Sequence, residues 1–217
     1  MIPYTSEAVD LGLSVKWATL NVGAVIQHDY GDYFAWGEVE SKESYTWTNY
    51  LWGDGNDTSL LKYNNQQEYG IVDNNFELDP DDDPVQTKWG DGWRMPTEAE
   101  FMELANYEWN SELAQWSEVE NCTWEWTSMF SSTKREFVNG YLITSKKEGF
   151  TDRSIFLPAG GCKESNTSCM DDFVCCWTST LNSDYPQTAI TVLLGDGHVQ
   201  RGYEYRCLGL TVRPVRN

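Results

Sequence analysis

From Ala8 to Trp17 the chain reads AVDLGLSVKW, with Val9, Leu11, Leu13, Val15 and Trp17 alternating with Asp10, Gly12, Ser14 and Lys16. An apolar residue at every second position lies on one face of an extended chain, so this stretch predicts a half-buried β-strand. The period returns at Thr123–Thr127, at Ser154–Pro158, where Pro158 ends the strand, and in the segment from Trp177 to Val215. There Ala189–Leu194 and His198–Arg201 flank the turn Gly195-Asp196-Gly197, and a last strand runs from Cys207 to Val215. Helical period is scarce. Thr97 with Glu100 forms a capping box, and Phe101, Leu104 and Ala105 then mark an apolar face to about Tyr107. A weaker helical piece is expected from Ser111 to Val119. A chain patterned in this way must build its core mainly from strands joined by turns.

The turn chemistry agrees. Asn139-Gly140 predicts a type I′ hairpin into Tyr141–Thr144, because both central residues of that turn need positive φ. Residues 146–149 predict another turn, and residues 160–172 a polar loop. Residues 41–88 read as a long loop anchored by buried Trp and Tyr side chains, an insert longer than compact domains usually carry. No internal repeat or low-complexity linker divides the sequence, so residues 1–217 read as one domain.

Charge narrows the partners. With 34 acidic against 15 basic side chains the net charge is −19, which repels phosphate backbones and anionic lipid. Nucleic acid is therefore not an expected partner. There is no apolar run long enough to span a bilayer, and MIPYTSEAV lacks the basic and apolar regions of a signal peptide. Eleven Trp, twelve Tyr and eight Phe supply enough large apolar surface for a sizeable core.

The candidate chemistry is thin. Among the six cysteines, Cys162 and Cys169 have the spacing to close a loop. Vicinal Cys175 and Cys176 do not suit a mutual disulfide, since neighbouring Cα atoms lie only about 3.8 Å apart. Cys175, Cys176, Cys207 and His198 lack the spacing of zinc ligands. Neither histidine, His28 nor His198, sits near a nucleophile elbow. The acidic runs Asp54–Asp57 and Asp79–Asp83 have oxygen ligands for calcium without EF-hand spacing, so no cofactor is assigned and a structural calcium stays open.

Several motifs occur together: AVDLGLSVKWATLNVGA, GDYFAWGEVE, KWGDGWRMPTEAEFMEL, NGYLITSKKEGF with SIFLPAGG, CWTSTLN and a terminal GLTVRPV. In this order they resemble a family of surface-exposed paralogous domains of gut Bacteroidetes and Fibrobacter with a C-type lectin-like fold. WRMPTEAEF is also similar to the signature helix of the formylglycine-generating-enzyme group, which shares that fold. The resemblance spans residues 8–215. It implies an α+β domain with paired terminal strands, one or two helices and long loops. It places the protein outside the cell: at the cell surface, on a pilus tip or anchored protein, or on a phage virion, without direct membrane insertion.

Within that fold, the C-terminal segment of some proteins is rewritten by diversity-generating retroelements, which replace adenines in a template. Residues 173–209 resemble such a product: one A-to-G change turns a Tyr codon into Cys, which suits Cys175, Cys176 and Cys207. Thr188, Thr191, Leu193, Gly195, His198, Gly202, Tyr203, Tyr205 and Leu208 are reachable from Asn codons, while Ala189, Val192, Leu194, Val199, Arg206 and Gly209 form a fixed framework. With Phe173, these varied positions are the expected ligand-binding residues, turned outward from an apolar framework, and Tyr203 and Tyr205 are the expected anchors. Trp177 and Arg206 are expected to hold the framework. The expected ligand is a protein or glycan on a cell or phage-host surface, and no enzyme activity is expected. Two alternatives remain: a formylglycine-generating-type oxidase using the cysteines, or a structural pilus-tip or phage-tail domain.

Overall fold

The computed structural model describes residues 6–90, 92–165, 167–169, 173–195 and 198–217, with the backbone alone for Thr167–Cys169, Leu194, Gly195 and His198. The strands are β1 (Ala8–Val9), β2 (Lys16–Ala18), β3 (Tyr107–Asn110), β4 (Gln115–Glu118), β5 (Cys122–Ser131), β6 (Glu136–Ser145) and β7 (Ser154–Pro158). They continue with β8 (Cys162–Glu164), β9 (Thr167–Cys169), β10 (Val174–Leu181), β11 (Thr188–Gly195), β12 (His198–Tyr205), β13 (Gly209–Leu210) and β14 (Val215–Arg216). Two short helices, α1 (Pro84–Trp89) and α2 (Glu98–Leu104), lie between β2 and β3. The described architecture is thus mainly β, arranged as small antiparallel sheets.

The alternating stretch 8–17 is a hairpin, not one strand. Asp10 Oδ1 accepts from the Gly12 amide at 2.9 Å, and the Ser14 hydroxyl donates to Glu103 at 2.5 Å, which folds the chain back between β1 and β2. Its apolar residues still go inward: Leu11, Val15 and Trp17 are buried. The closing strand β14 pairs with β2 through Val215 opposite Trp17, so the two ends of the described chain lie side by side. The expected strand from Cys207 to Val215 is broken into β13, isolated bridges and β14.

Two turns also move. Ser111–Val119 is not helical: Asn110 Oδ1 accepts from the Glu112 and Leu113 amides at 3.0 and 3.1 Å, and the Trp109 and Trp116 rings meet edge to face at 5.6 Å across β3 and β4. The helix-favouring residues there are spent on the turn. Asn139-Gly140 lies inside β6, opposite Ser128 and Thr127 of β5. The actual β5–β6 turn follows Ser131, where Ser131 Oγ and Thr133 Oγ1 both donate to Asp29 Oδ1 at 2.9 and 2.5 Å. Gly140 is needed for closeness, since a Cβ there would stand 2.3 Å from the Leu157 carbonyl oxygen on β7.

The central sheet has the order β10-β11-β12 and divides the core. On one face Cys175, Trp177 and Ala189 join a cluster with Phe34, Trp36, Tyr45, Tyr50 and Tyr63, so aromatics do tie down the 41–88 loop. That loop also carries α1, which was not expected. On the other face Val174, Cys176 and Val192 pack with Trp17, Phe101 and Leu104. Arg213, fully buried, links three segments, donating to Asn21 Oδ1 (2.8 Å), the Ala18 carbonyl (2.8 Å) and the Phe156 carbonyl (2.9 Å).

The capping box at Thr97 is present, and Glu100 also accepts two bonds from the Arg94 guanidinium at 2.6 and 2.7 Å. Burial pushes the Glu100 carboxyl up, but the Arg94 bonds and the Thr97 amide outweigh it and leave it below its usual value of 4.5. A carboxylate depressed in the fold stabilises it above the unfolded value and loses that contribution as pH falls through the folded one. Glu100→Gln should therefore cost about 2 kcal/mol in urea unfolding at pH 7 and much less near pH 3.

Candidate functional site

Strand parity sorts the expected ligand-binding residues. Cys175 stands opposite Leu193, Trp177 opposite Thr191, and Thr191 opposite Gly202, so all share the face that meets the aromatic cluster. Cys176 opposite Val192 points to the α2 side. Both faces of β10 and β11 are covered, and this corrects the expected outward display. Cys175, Cys176, Thr188, Thr191, Gly202, Cys207 and Leu208 are buried. Phe173 and Leu193 are half-buried against the aromatic cluster. Gly202 is packed too closely for display, because a Cβ there would lie 2.7 Å from Leu193 Cδ1 and 2.9 Å from its Cγ. Thr188 closes a turn, its hydroxyl donating to the Tyr185 carbonyl at 2.7 Å and accepting from Asn182 Nδ2 at 3.0 Å. The side chains at Leu194, Gly195 and His198, and the turn residues Asp196 and Gly197, lie outside the described residues.

What the sheet does present is its outer strand. On β12, Tyr203 and Tyr205 are 51% and 47% exposed, and Tyr185 beside them is 50% exposed. The Tyr185 and Tyr203 rings lie 6.0 Å apart with a 30° tilt, and Trp47 meets Tyr205 edge to face at 6.1 Å. Two clefts flank Tyr205. One, of about 300 Å³, is lined by Tyr185, Gln187, Thr188, Tyr203, Glu204 and Tyr205. The other, of about 410 Å³, is walled by Tyr45, Trp47, Asn56, Asp57, Glu164 and Tyr205, with Cys207 and Leu208 also lining it. Trp47 and Asp57 come from the 41–88 loop and Glu164 from β8. Neither periodicity nor spacing pointed to them, because their place depends on how that loop lies against β12.

The base of this face is densely hydrogen-bonded. Arg206, fully buried directly after β12, donates through Nε to the Tyr50 hydroxyl (2.9 Å). Its Nη1 donates to the Tyr63 and Pro186 carbonyls, each at 3.0 Å, and its Nη2 to the Lys62 carbonyl at 3.0 Å. The guanidinium also lies 5.0 Å from the Trp36 ring centre and 5.3 Å from that of Tyr50. Midway along β12, Arg201 Nε donates to Glu98 Oε1 at the start of α2.

The thiols sit in surroundings that keep them protonated. Burial, then the neighbouring Cys176, raises Cys175 well above its usual value, and burial raises Cys176 despite a 3.4 Å contact between its Sγ and Thr211 Oγ1. Burial pushes Cys207 up to about 12. Consecutive residues of β10 point to opposite faces, so Cys175 and Cys176 cannot converge on one zinc ion. Cys162 and Cys169 stand opposite each other in the β8–β9 pair, but the Cys169 side chain lies outside the described residues. Among the described residues, no three His, Cys, Asp or Glu side chains come together as metal ligands. The acidic run at 79–83 has structural partners: Lys62 bonds Asp79 and Asp82 at 2.5 and 2.6 Å, and Asp83 caps α1. No described helix is long and apolar enough to cross a membrane.

No family of known sequences, no curated protein and no solved structure matches the chain.

Replacing Arg206 removes a cation and leaves three carbonyls without their donor, two of these bonds being buried and one part-buried. Arg206→Met should lower the unfolding free energy by about 3 to 5 kcal/mol in chemical denaturation.

Proposed function

We propose that the protein is a non-enzymatic recognition domain of the C-type lectin-like kind, displayed outside the cell or on a virion, which grips a protein or glycan ligand. The observation that carries this reading is the pair of half-exposed tyrosines on β12, opening onto two clefts and seated on the Arg206 framework. Tyrosine supplies rigid contact area with a polar tip at low entropic cost, which suits a binding face. The paired terminal strands, the capped α2 and the aromatic-tied loop support the C-type lectin-like assignment.

Diversification by a retroelement belongs to this proposal, supported by the residues within 173–209 that adenine changes in Asn or Tyr codons could produce. Its exposed part is Tyr203 and Tyr205, with Phe173 and Leu193 at the margin. At the buried positions, packing would limit replacements to side chains near the present volume. Sequencing the locus tests this: a nearby reverse transcriptase and a template copy of residues 173–209 are expected, and their absence would remove the retroelement from the reading.

One experiment tests recognition itself and another the oxidase alternative. In glycan- and protein-array binding, Tyr203→Ala and Tyr205→Ala should each cost about 1 to 2 kcal/mol for the bound ligand. Undiminished binding by the folded double variant would overturn the assignment of the face. Against an oxidase stands the burial of Cys175 and Cys176, the reverse of the surroundings that favour a thiolate. Alkylation of the native protein at pH 8 followed by mass spectrometry should leave both unmodified. Rapid labelling of either would revive thiol chemistry.

A further inference from the structure

The second cleft joins aromatic walls to carboxylates. Trp47 and Tyr205 face one another across an edge-to-face contact at 6.1 Å, and Asp57 and Glu164 line the same space of about 410 Å³. Among the described residues, no lysine or arginine lines it. Lys42 Nζ lies 5.7 Å from the centre of the Tyr45 ring that walls the cleft, but its charge is met by Glu38 Oε2 at 2.8 Å and it donates to the Asn49 carbonyl at 2.9 Å. Glu204, which lines the first cleft, has no ion pair or hydrogen bond to its carboxylate among the described residues. Burial, then the charge on Glu164, raises that carboxyl above its usual value. Aromatic faces attract cations through their quadrupole, and carboxylates add charge-assisted hydrogen bonds. A phosphate, a sialic acid or an acidic peptide would meet repulsion here from these acids and from the net charge of −19.

We infer that the paired clefts around Tyr205 take a basic protein segment, an arginine or lysine side chain entering beside Trp47, Asp57 and Glu164 while its neighbours lie along Tyr203 and Glu204. This rests on the recognition reading and names its partner class. The occupant is set by charge complementarity: an aromatic groove edged with acids, on an acidic protein, fits an extended cationic peptide. A neutral sugar would use the same rings without needing the acids.

The test is isothermal titration of the full chain with a tri-arginine peptide, a tri-citrulline peptide of the same shape without charge, and a neutral tetrasaccharide. Saturable one-to-one binding of tri-arginine is expected, with no detectable tri-citrulline binding. Affinity should fall about tenfold for Asp57→Asn and for Tyr205→Ala. Glu148→Gln removes one negative charge at an exposed turn that lines neither cleft and should leave affinity unchanged. Circular dichroism establishes that each variant is folded. An equal loss with Glu148→Gln would reduce the effect to general attraction by net charge and overturn the inference. So would absent tri-arginine binding, or equal binding of tri-citrulline. Tetrasaccharide binding that needs Tyr205 but not Asp57 would also overturn it, while leaving the recognition face standing. Loss of Tyr203 and Tyr205 dependence for every ligand would instead sink the recognition reading itself.

Discussion

Two buried guanidinium groups, Arg206 and Arg213, govern how the C-terminal segment meets the rest of the chain. A cation removed from water must recover its solvation from fixed dipoles or counter-charges. Both arginines do so through carbonyl oxygens and neutral side chains, with no carboxylate among the partners described. Burial lowers Arg213 to about 10, which still leaves it charged at neutral pH. Every partner therefore has to arrive in place. Arg213 recruits Ala18, Asn21 and Phe156, closing the terminal strands against β7. Arg206 recruits Lys62, Tyr63 and Pro186, and so settles the long loop beside β12. A lysine could not replace either one, having no planar fork to reach several carbonyls at once.

The parts of the fold legible in the sequence were those governed by local chemistry. The Thr97–Glu100 capping box needs only four residues, and it stands as expected. The inward set Leu11, Val15 and Trp17 was legible from alternation, although the strand itself was not. Alternation reports which side chains seek the core, and an Asx turn at Asp10 satisfies the same pattern with a hairpin. Asn139-Gly140 misled for a related reason. Its turn propensity is intrinsic, but Asp29, distant in sequence, ties Ser131 and Thr133 and places the turn seven residues earlier.

The site was legible only in part. Tyr203 and Tyr205 stand exposed as the alternation along β12 implies, because β12 is the outer strand. The same alternation misjudged Cys175, Thr191 and Gly202, because a sheet covered on both faces has no outward side. Which strand lies at the edge depends on pairing order, and that order is not a local property. Trp47, Asp57 and Glu164 reach the cleft by the same non-local route.

The cage around Arg206 ties the binding face to chain folded 143 residues earlier, at Tyr63. Bringing together chain that distant carries a loop-closure cost, which the buried contacts must offset. The tyrosine face is thus complete only with the 41–88 loop docked, since Trp47, Asn56 and Asp57 of that loop wall the second cleft. A protease nick between Asp54 and Ser59, far from β12 in sequence, would free one wall of the second cleft and loosen the seat of Arg206. Recognition would then fail with β12 itself intact, so the loop is a point of vulnerability, distant in sequence, for a face it helps to build.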